Sequence, residues 1–254
     1  MAVFGADVTA DPAITNPGGS VRPASPPELS IIIVNWNSAE FVRKCLASIY
    51  RNTTGLNFEI VVVDGASFDG CGEMLAKEFP QVHFVQSPKN VGFGGCNNLG
   101  FEKAAGEFVL LLNPDTELKG PAAAVLLHQL RATPGVGMVG ARLLNSDGSL
   151  QTSCVQSLPT PLNQALDLEF LRKRFPNSRL WGISALWQSS PAEVEAISGA
   201  CMLLRCETFR RVGGFGSQYF MYGEDMDLCA KVRNAGLKIY YEPRAEVIHH
   251  GGGR

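Results

Sequence analysis

Four short apolar runs limit what this chain can fold into more than anything else in it. They are SIIIVNW (Ser30–Trp36), FEIVVVD (Phe58–Asp64), VHFVQ (Val82–Gln86) and FVLLLN (Phe108–Asn113). Each reads as a strand, and stretches of helical spacing lie between them. EFVRKCLASIYRN brings Phe41, Val42, Cys45, Leu46, Ile49 and Tyr50 onto one helix face. DGCGEMLAKEF predicts a short helix, and GGCNNLGFEKA another that stops at Gly106. PAAAVLLHQLRA is a helix with Pro121 in its first turn, and VGMVGARLL a further strand. Strands alternating with helices predict βα units and a largely parallel sheet. Near-continuous Val, Ile and Leu predict strands covered on both faces.

The flanks are different. Residues 1–29 carry Pro12, Pro17, Pro23, Pro26 and Pro27 among small residues and read as a disordered tail. The rest, 30–254, reads as one domain, with a donor-binding half at 30–118 and an acceptor and catalytic half at 119–254. From 152 to about 192 the pattern weakens. Four prolines and two tryptophans surround LEFLRKRF there, which reads as a loop with a helical insert over the site. Its mix of bases and aromatics also suits a lipid surface. Beyond it, VEAIS and ACMLLR read as strands, ETFRRVGGF and GEDMDLCAKVRNAG as helices, and LKIYYEP as a final strand before AEVIHHGGGR.

Composition sets outer bounds. The 254 residues are 45% hydrophobic and 18% charged, with a net charge of -2. That is globular composition, without the basic excess that binding nucleic acid requires. Seven cysteines, none in a C-x-x-C pair, read as reduced core thiols of a cytoplasmic protein, and no zinc site is visible. No apolar run approaches the ~18–20 residues of a spanning helix. No secretory signal is expected at the start. Any membrane contact is therefore expected to be peripheral, at the inner face.

The chemistry is expected where the strands end. Asn35, Asp64 and Asp115 each follow an apolar run, and parallel strands would gather them at one sheet edge, where open α/β sheets bind ligands. A carboxylate at Asp115, stiffened by Pro114, is well placed to hold Mg²⁺ or Mn²⁺ together with a diphosphate. Asn113 adds no charge. Asp64 can accept hydrogen bonds from a base or ribose, and Asp69 can cap the next helix. KNVGFGGCNNLG looks like a phosphate loop but is neither a dinucleotide fingerprint nor a Walker loop, and its glycines equally serve close packing. In FMYGEDMDLC, Glu224, Asp225 and Asp227 crowd a helix start, and Asp225 beside apolar residues suits a general base. His249 and His250 precede three glycines, and a neutral imidazole there would complete the metal site of Asp115.

Taken in order, SIIIVNWNS, VVVDGASFDG, NVGFGGCNNLG, LLLNPDTEL, SGACMLLR, VGGF, FMYGEDMDLCAKVRNAG and HHGGG resemble the family 2 inverting glycosyltransferases of the GT-A fold. The likeness is greatest to their bacterial rhamnosyltransferase-like branch, and it covers residues 30 to 253. The resemblance implies a nucleotide-sugar donor (a dTDP- or UDP-sugar, first dTDP-rhamnose), a divalent cation, and the hydroxyl of a cell-envelope glycan or lipid-linked saccharide as acceptor. It implies Asp225 as base and Asp115 with His249 at the metal. Asn35, Asp64, Asn90, Gly92, Asn98, Asn113, Gly199, Ala200 and Glu224 would form the donor-binding set. Gly65 departs from the family's usual asparagine, Gly216 and Ser217 from a usual acidic pair, and the chain stops at Arg254, where relatives usually continue.

Two other readings compete. A nucleotide-sugar-binding scaffold would bind donor without turnover. A sugar-nucleotide nucleotidyltransferase would need a glycine-rich loop after the first strand, where this chain has VNWNSAEF.

Overall fold

The computed structural model describes residues 25–158 and 183–251. Most of the expected tail, LEFLRKRF, Trp181 and the last two glycines lie outside the described residues.

The first strands form as their composition dictates. β1 (Leu29–Asn35), β2 (Phe58–Asp64) and β4 (Phe108–Leu112) are almost wholly buried. Burying each large aliphatic side chain is worth about 1.5–3 kcal/mol, and this apolar run continues from one strand to the next. With β3 (His83–Gln86), these strands form a parallel block in the order β3-β2-β1-β4. Register is in step: Leu29 faces Phe58 on one side and Phe108 on the other. The block's carboxyl ends therefore come out at one edge.

The helices between them are α1 (Ala39–Asn52), α2 (Cys71–Glu78) and α3 (Gly92–Phe101). α3 lies on β1 and β2. It ends at Phe101, not at Gly106 as expected. Gly106 instead donates its N–H to Ser30 Oγ at 2.9 Å, and a Cβ there would stand 2.8 Å from the Ser30 nitrogen. That glycine answers a close approach to β1, not a helix end.

The second half extends the same sheet, with reversals. After β5 (Thr116–Lys119) come α4 (Ala122–Ala132) and β6 (Val136–Leu144). A short β7 (Val155–Gln156) pairs with β9 (Ala196–Ile197), so the expected strand VEAIS is split between β8 (Ala192–Val194) and β9. β10 (Cys201–Arg205) runs antiparallel between β4 and β6. α5 (Cys206–Arg211) and α6 (Glu224–Asn234) lead to β11 (Lys238–His249), which lies parallel to β6 and antiparallel to β5 and β8. The main sheet order is β3-β2-β1-β4-β10-β6-β11-β5. It is mixed and mostly parallel.

Pro243 does not end the last strand. Pairing with β6 shifts between Glu242 and Glu246, and β11 passes through this bulge to His249. Glu242, fully buried, is held there by Arg244 at 2.7 and 2.9 Å. All seven cysteines are free and buried. Burial pushes the Cys45 and Cys201 thiols up to about 12, so neither is a nucleophile at neutral pH.

Candidate active site

Asn35 and Asp64 are register partners at the ends of β1 and β2. Asn35 Nδ2 donates to Asp64 Oδ2 at 2.7 Å, while Asn35 Oδ1 accepts from the N–H and hydroxyl of Ser38. Asn35 thus ties β2 to the start of α1. Asp64 Oδ1 accepts from the Ser67 N–H and from Gln86 Nε2, both at 2.8 Å. Burial pushes the Asp64 carboxyl up, but the bonds from Ser67, Asn35 and Gln86 outweigh it and hold it below the usual carboxylate range. It is an anion at neutral pH. Beside it lies an open cleft of about 620 Å³, lined by Asp64, Ser67, Asp69, Phe84 and Gln86 among others. Asp69 does more than cap the helix that follows it. It accepts from Cys71 N–H at 3.2 Å and from Ala39 N–H at 2.8 Å, so it also anchors the start of α1.

The glycine-rich stretch is the start of α3. Asn90 Oδ1 accepts the Gly92 N–H at 2.9 Å and lies near Gly65, just past Asp64. Gly92 has φ +78°, and a Cβ on it would stand 2.1 Å from the Phe220 carbonyl oxygen. That oxygen accepts the Phe93 N–H at 3.2 Å. Gly92 therefore admits a distant loop to the helix start, which is the packing role open to it in the sequence. Asn98 acts similarly. Its amide donates to the Phe215 carbonyl at 2.9 Å and accepts the Phe215 N–H at 3.1 Å, so it fixes the 214–215 turn.

Asp115 stands in the turn between β4 and β5 and is 7% exposed. Its carbonyl accepts the His250 N–H at 2.9 Å, and its Oδ1 lies 3.4 Å from His249 Nε2. Asn113 Nδ2 lies 3.4 Å from the same nitrogen, and Asn113 Oδ1 is buried without a hydrogen-bond partner. The two histidines divide the work because successive strand residues point to opposite sides. His249 turns to Asp115, whereas the His250 ring bridges Glu117 at 3.0 Å and Ser146 at 2.8 Å.

Asp225 begins α6. Oδ1 accepts the Met226 N–H at 2.8 Å and Oδ2 the Gly199 N–H at 3.1 Å. The amino end of a helix favours its negative charge. Glu224, its neighbour, is buried with Oε2 unpartnered. Burial raises the Glu224 carboxyl against the pull of its own N–H, and the Asp225 charge raises it further. Before them, Phe220, Met221 and Tyr222 are 58%, 45% and 84% exposed.

One short turn joins Asp225 to the loop that carries Asp115. Gly199 N–H reaches Asp225, and the carbonyl of Ala200 accepts the Asn113 N–H at 3.0 Å. The reversal of β10 makes this so, because its amino end rather than its carboxyl end arrives beside the end of β4. Sequence reading missed Gln86, Ser67 and Gln151. Each is an uncharged residue in a turn or at a strand end, with no spacing signal to mark it.

The arrangement has known counterparts. The description Glycosyl transferase family 2 matches residues 30–212. The chain belongs to that family. A second description, N-terminal domain of galactosyltransferase, matches residues 185–250, which include Asp225 and His249. N-acetylglucosaminyl-diphospho-decaprenol L-rhamnosyltransferase of Mycobacterium tuberculosis is 28% identical over 87% of this chain and 76% of its own length. A rhamnosyltransferase of Escherichia coli K12 is 25% identical over 87% of this chain and 82% of its own. Among solved structures, GalNAc-T7 with UDP, GalNAc and Mn²⁺ superposes at a TM-score of 0.66 with 16% identity, over 89% of this chain and 44% of that one. The mannosyltransferase PcManGT of Pyrobaculum calidifontis, with GDP-Man and Mn²⁺, gives 0.62 with 20% identity, over 95% and 62%. This family 2 glycosyltransferase thus has the GT-A fold. Among its described residues, no helix is long and apolar enough to cross a membrane.

Proposed function

We propose that the protein transfers rhamnose, with inversion, from a dTDP- or UDP-linked donor to a hydroxyl of a lipid-linked saccharide, at the inner face of a membrane. One observation carries the reading: Asp225 and the Asp115 loop are fastened to the same Gly199–Ala200 turn at the strand ends. The choice of sugar and acceptor rests on the relatives named for rhamnosyl transfer, one of them to a decaprenyl diphosphate sugar.

The residues at Asp115 suit a divalent cation. A carboxylate oxygen and an imidazole nitrogen lie 3.4 Å apart there. The described residues hold no cluster of three or more His, Cys, Asp or Glu, so the remaining ligands fall to the donor diphosphate. Bound there, Mg²⁺ or Mn²⁺ would offset the charge of the departing diphosphate. Asp64, held anionic, faces the cleft that would take the nucleoside, with Asn90 behind it.

Asp225 receives the proton of the acceptor hydroxyl as that oxygen attacks the anomeric carbon. The new carbon–oxygen bond forms on one face while the bond to phosphate breaks on the other, and the electron pair leaves with the nucleoside diphosphate. The Gly199 and Met226 N–H groups orient the carboxylate and leave each oxygen a further lone pair. Exposed Phe220, Met221 and Tyr222 offer the acceptor an apolar approach.

Calorimetry with the nucleoside diphosphate, with and without Mn²⁺, tests the metal assignment. Asp115→Ala should abolish the metal-dependent part of binding in a folded protein. Equal affinity in variant and parent would remove Asp115 from that role. If no donor releases nucleoside diphosphate in the presence of a lipid-linked saccharide, the enzymatic reading itself fails.

A further inference from the structure

Gln151, in the turn after β6, makes two hydrogen bonds to one residue. Its Nε2 lies 2.6 Å from the His249 carbonyl oxygen, and its Oε1 lies 2.9 Å from His249 Nδ1. A carbonyl oxygen only accepts, so the amide nitrogen must be the atom that faces it. The amide oxygen therefore faces the ring, and it too only accepts. His249 Nδ1 must then carry a hydrogen.

We infer that Gln151 is a positioning residue that locks His249 as the Nδ1–H tautomer and turns the Nε2 lone pair toward Asp115. The surroundings agree. Asn113 Nδ2, a donor, lies 3.4 Å from Nε2. Asp115 Oδ1 lies 3.4 Å from it, so a lone pair and a carboxylate oxygen face each other across a gap that a cation would bridge. Metal-bound histidines commonly depend on such a partner at the other ring nitrogen. Gln151 also holds the backbone at the end of β11, so one side chain sets both the height and the rotation of the ring. The inference rests on the metal reading above, yet the tautomer is measurable without metal.

The experiment uses the full chain with ¹⁵N-labelled histidine. Two-bond proton–nitrogen spectra, recorded metal-free at about pH 9 so that imidazole is neutral, should show His249 as the Nδ1–H form. In Gln151→Met, nearly equal in size and unable to accept that bond, the Nε2–H form should gain population. Mn²⁺ affinity in the presence of the nucleoside diphosphate, read by the paramagnetic resonance of free Mn²⁺, should fall about 10–100-fold. In a His249→Ala background, Gln151→Met should cost no further affinity, because its effect runs through the ring. An Nε2–H parent would overturn the inference even if the variant failed to fold. So would a Gln151→Met protein with parental tautomer and affinity. If the parent shows the Nδ1–H form but binds no Mn²⁺, the metal reading falls while the tautomer lock stands.

Discussion

Replacing Gly92 with alanine separates two costs that the structure keeps apart. Gly92 and Gly213 share nearly the same φ, +78° and +79°. Alanine at either loses about 1–2 kcal/mol to the left-handed conformation. Any gain from a stiffer unfolded chain is common to both and cancels. At Gly213 nothing lies within 4 Å of the new methyl. At Gly92 it would sit 2.1 Å from the Phe220 oxygen and 2.9 Å from its carbon. Those are backbone atoms, so the 219–222 loop must move, at about 1–3 kcal/mol beyond the strain. Gly92→Ala should therefore cost about 2–5 kcal/mol and Gly213→Ala about 1–2. At ~2–4 °C per kcal/mol for a domain of this size, Tm should fall by about 4–20 °C and 2–8 °C respectively. Scanning calorimetry on both variants reads this directly. Where the loop yields instead of the fold, the loss moves to turnover, because Asp225 starts three residues after Tyr222. Nucleoside diphosphate release would then fall in Gly92→Ala alone. Two variants that melt together and turn over alike would show that the Phe220 carbonyl is not held at this helix.

The remaining predictions concern charge. Asp225→Asn keeps an acceptor for the Met226 N–H but gives up the bond from Gly199 and cannot take a proton, so turnover should drop about 10²–10⁴-fold in a protein that still folds, with stability lower by about 1–3 kcal/mol; parental turnover would exclude Asp225 as the base. Asp64 is held below its unfolded value, so its contribution to stability is full above that value and disappears as pH falls through the lower folded one. Urea unfolding between about pH 6 and pH 3 should lose stability less steeply in Asp64→Asn than in the parent; parallel curves would refute the assignment. Glu224 is shifted the other way, so the fold loses stability as pH rises past the unfolded value. Glu224→Gln should therefore be at least as stable as the parent at pH 8, by the same unfolding assay, and a clear loss would mean that the charge is needed.

Much of the fold was legible because β1, β2, β4 and β6 are apolar along most of their length, and such runs carry their own boundaries, whereas TELK of β5 carries no such signal. β11 was not, because Pro243 ordinarily ends a strand and the bulge that accommodates it depends on pairing with β6. The direction of β10 was equally hidden, since ACMLLR is apolar in either orientation. At the site, Asp64, Asp115 and Asp225 announced themselves by position: two at strand ends and one at a helix start. Gly92 had two meanings in sequence, and only the partner loop at Phe220 shows what it holds; Asn98 was expected in the donor set alone, and its bonds to Phe215 had no signal. Gln151 had no signal, because its role lies in two contacts with a residue 98 positions away.

The path of β11 bears on how the protein can be divided. β5 carries the far side of the Asp115 loop, and its sheet neighbour is β11, the last strand among the described residues. A fragment ending near residue 118 would keep the nucleoside cleft but leave that loop without its wall. Truncation from the carboxyl end would expose β6 along one edge and release Asp115 at the same time. Joining half-chains of relatives near residue 118 should therefore disturb the Asp115 loop, whichever halves are joined.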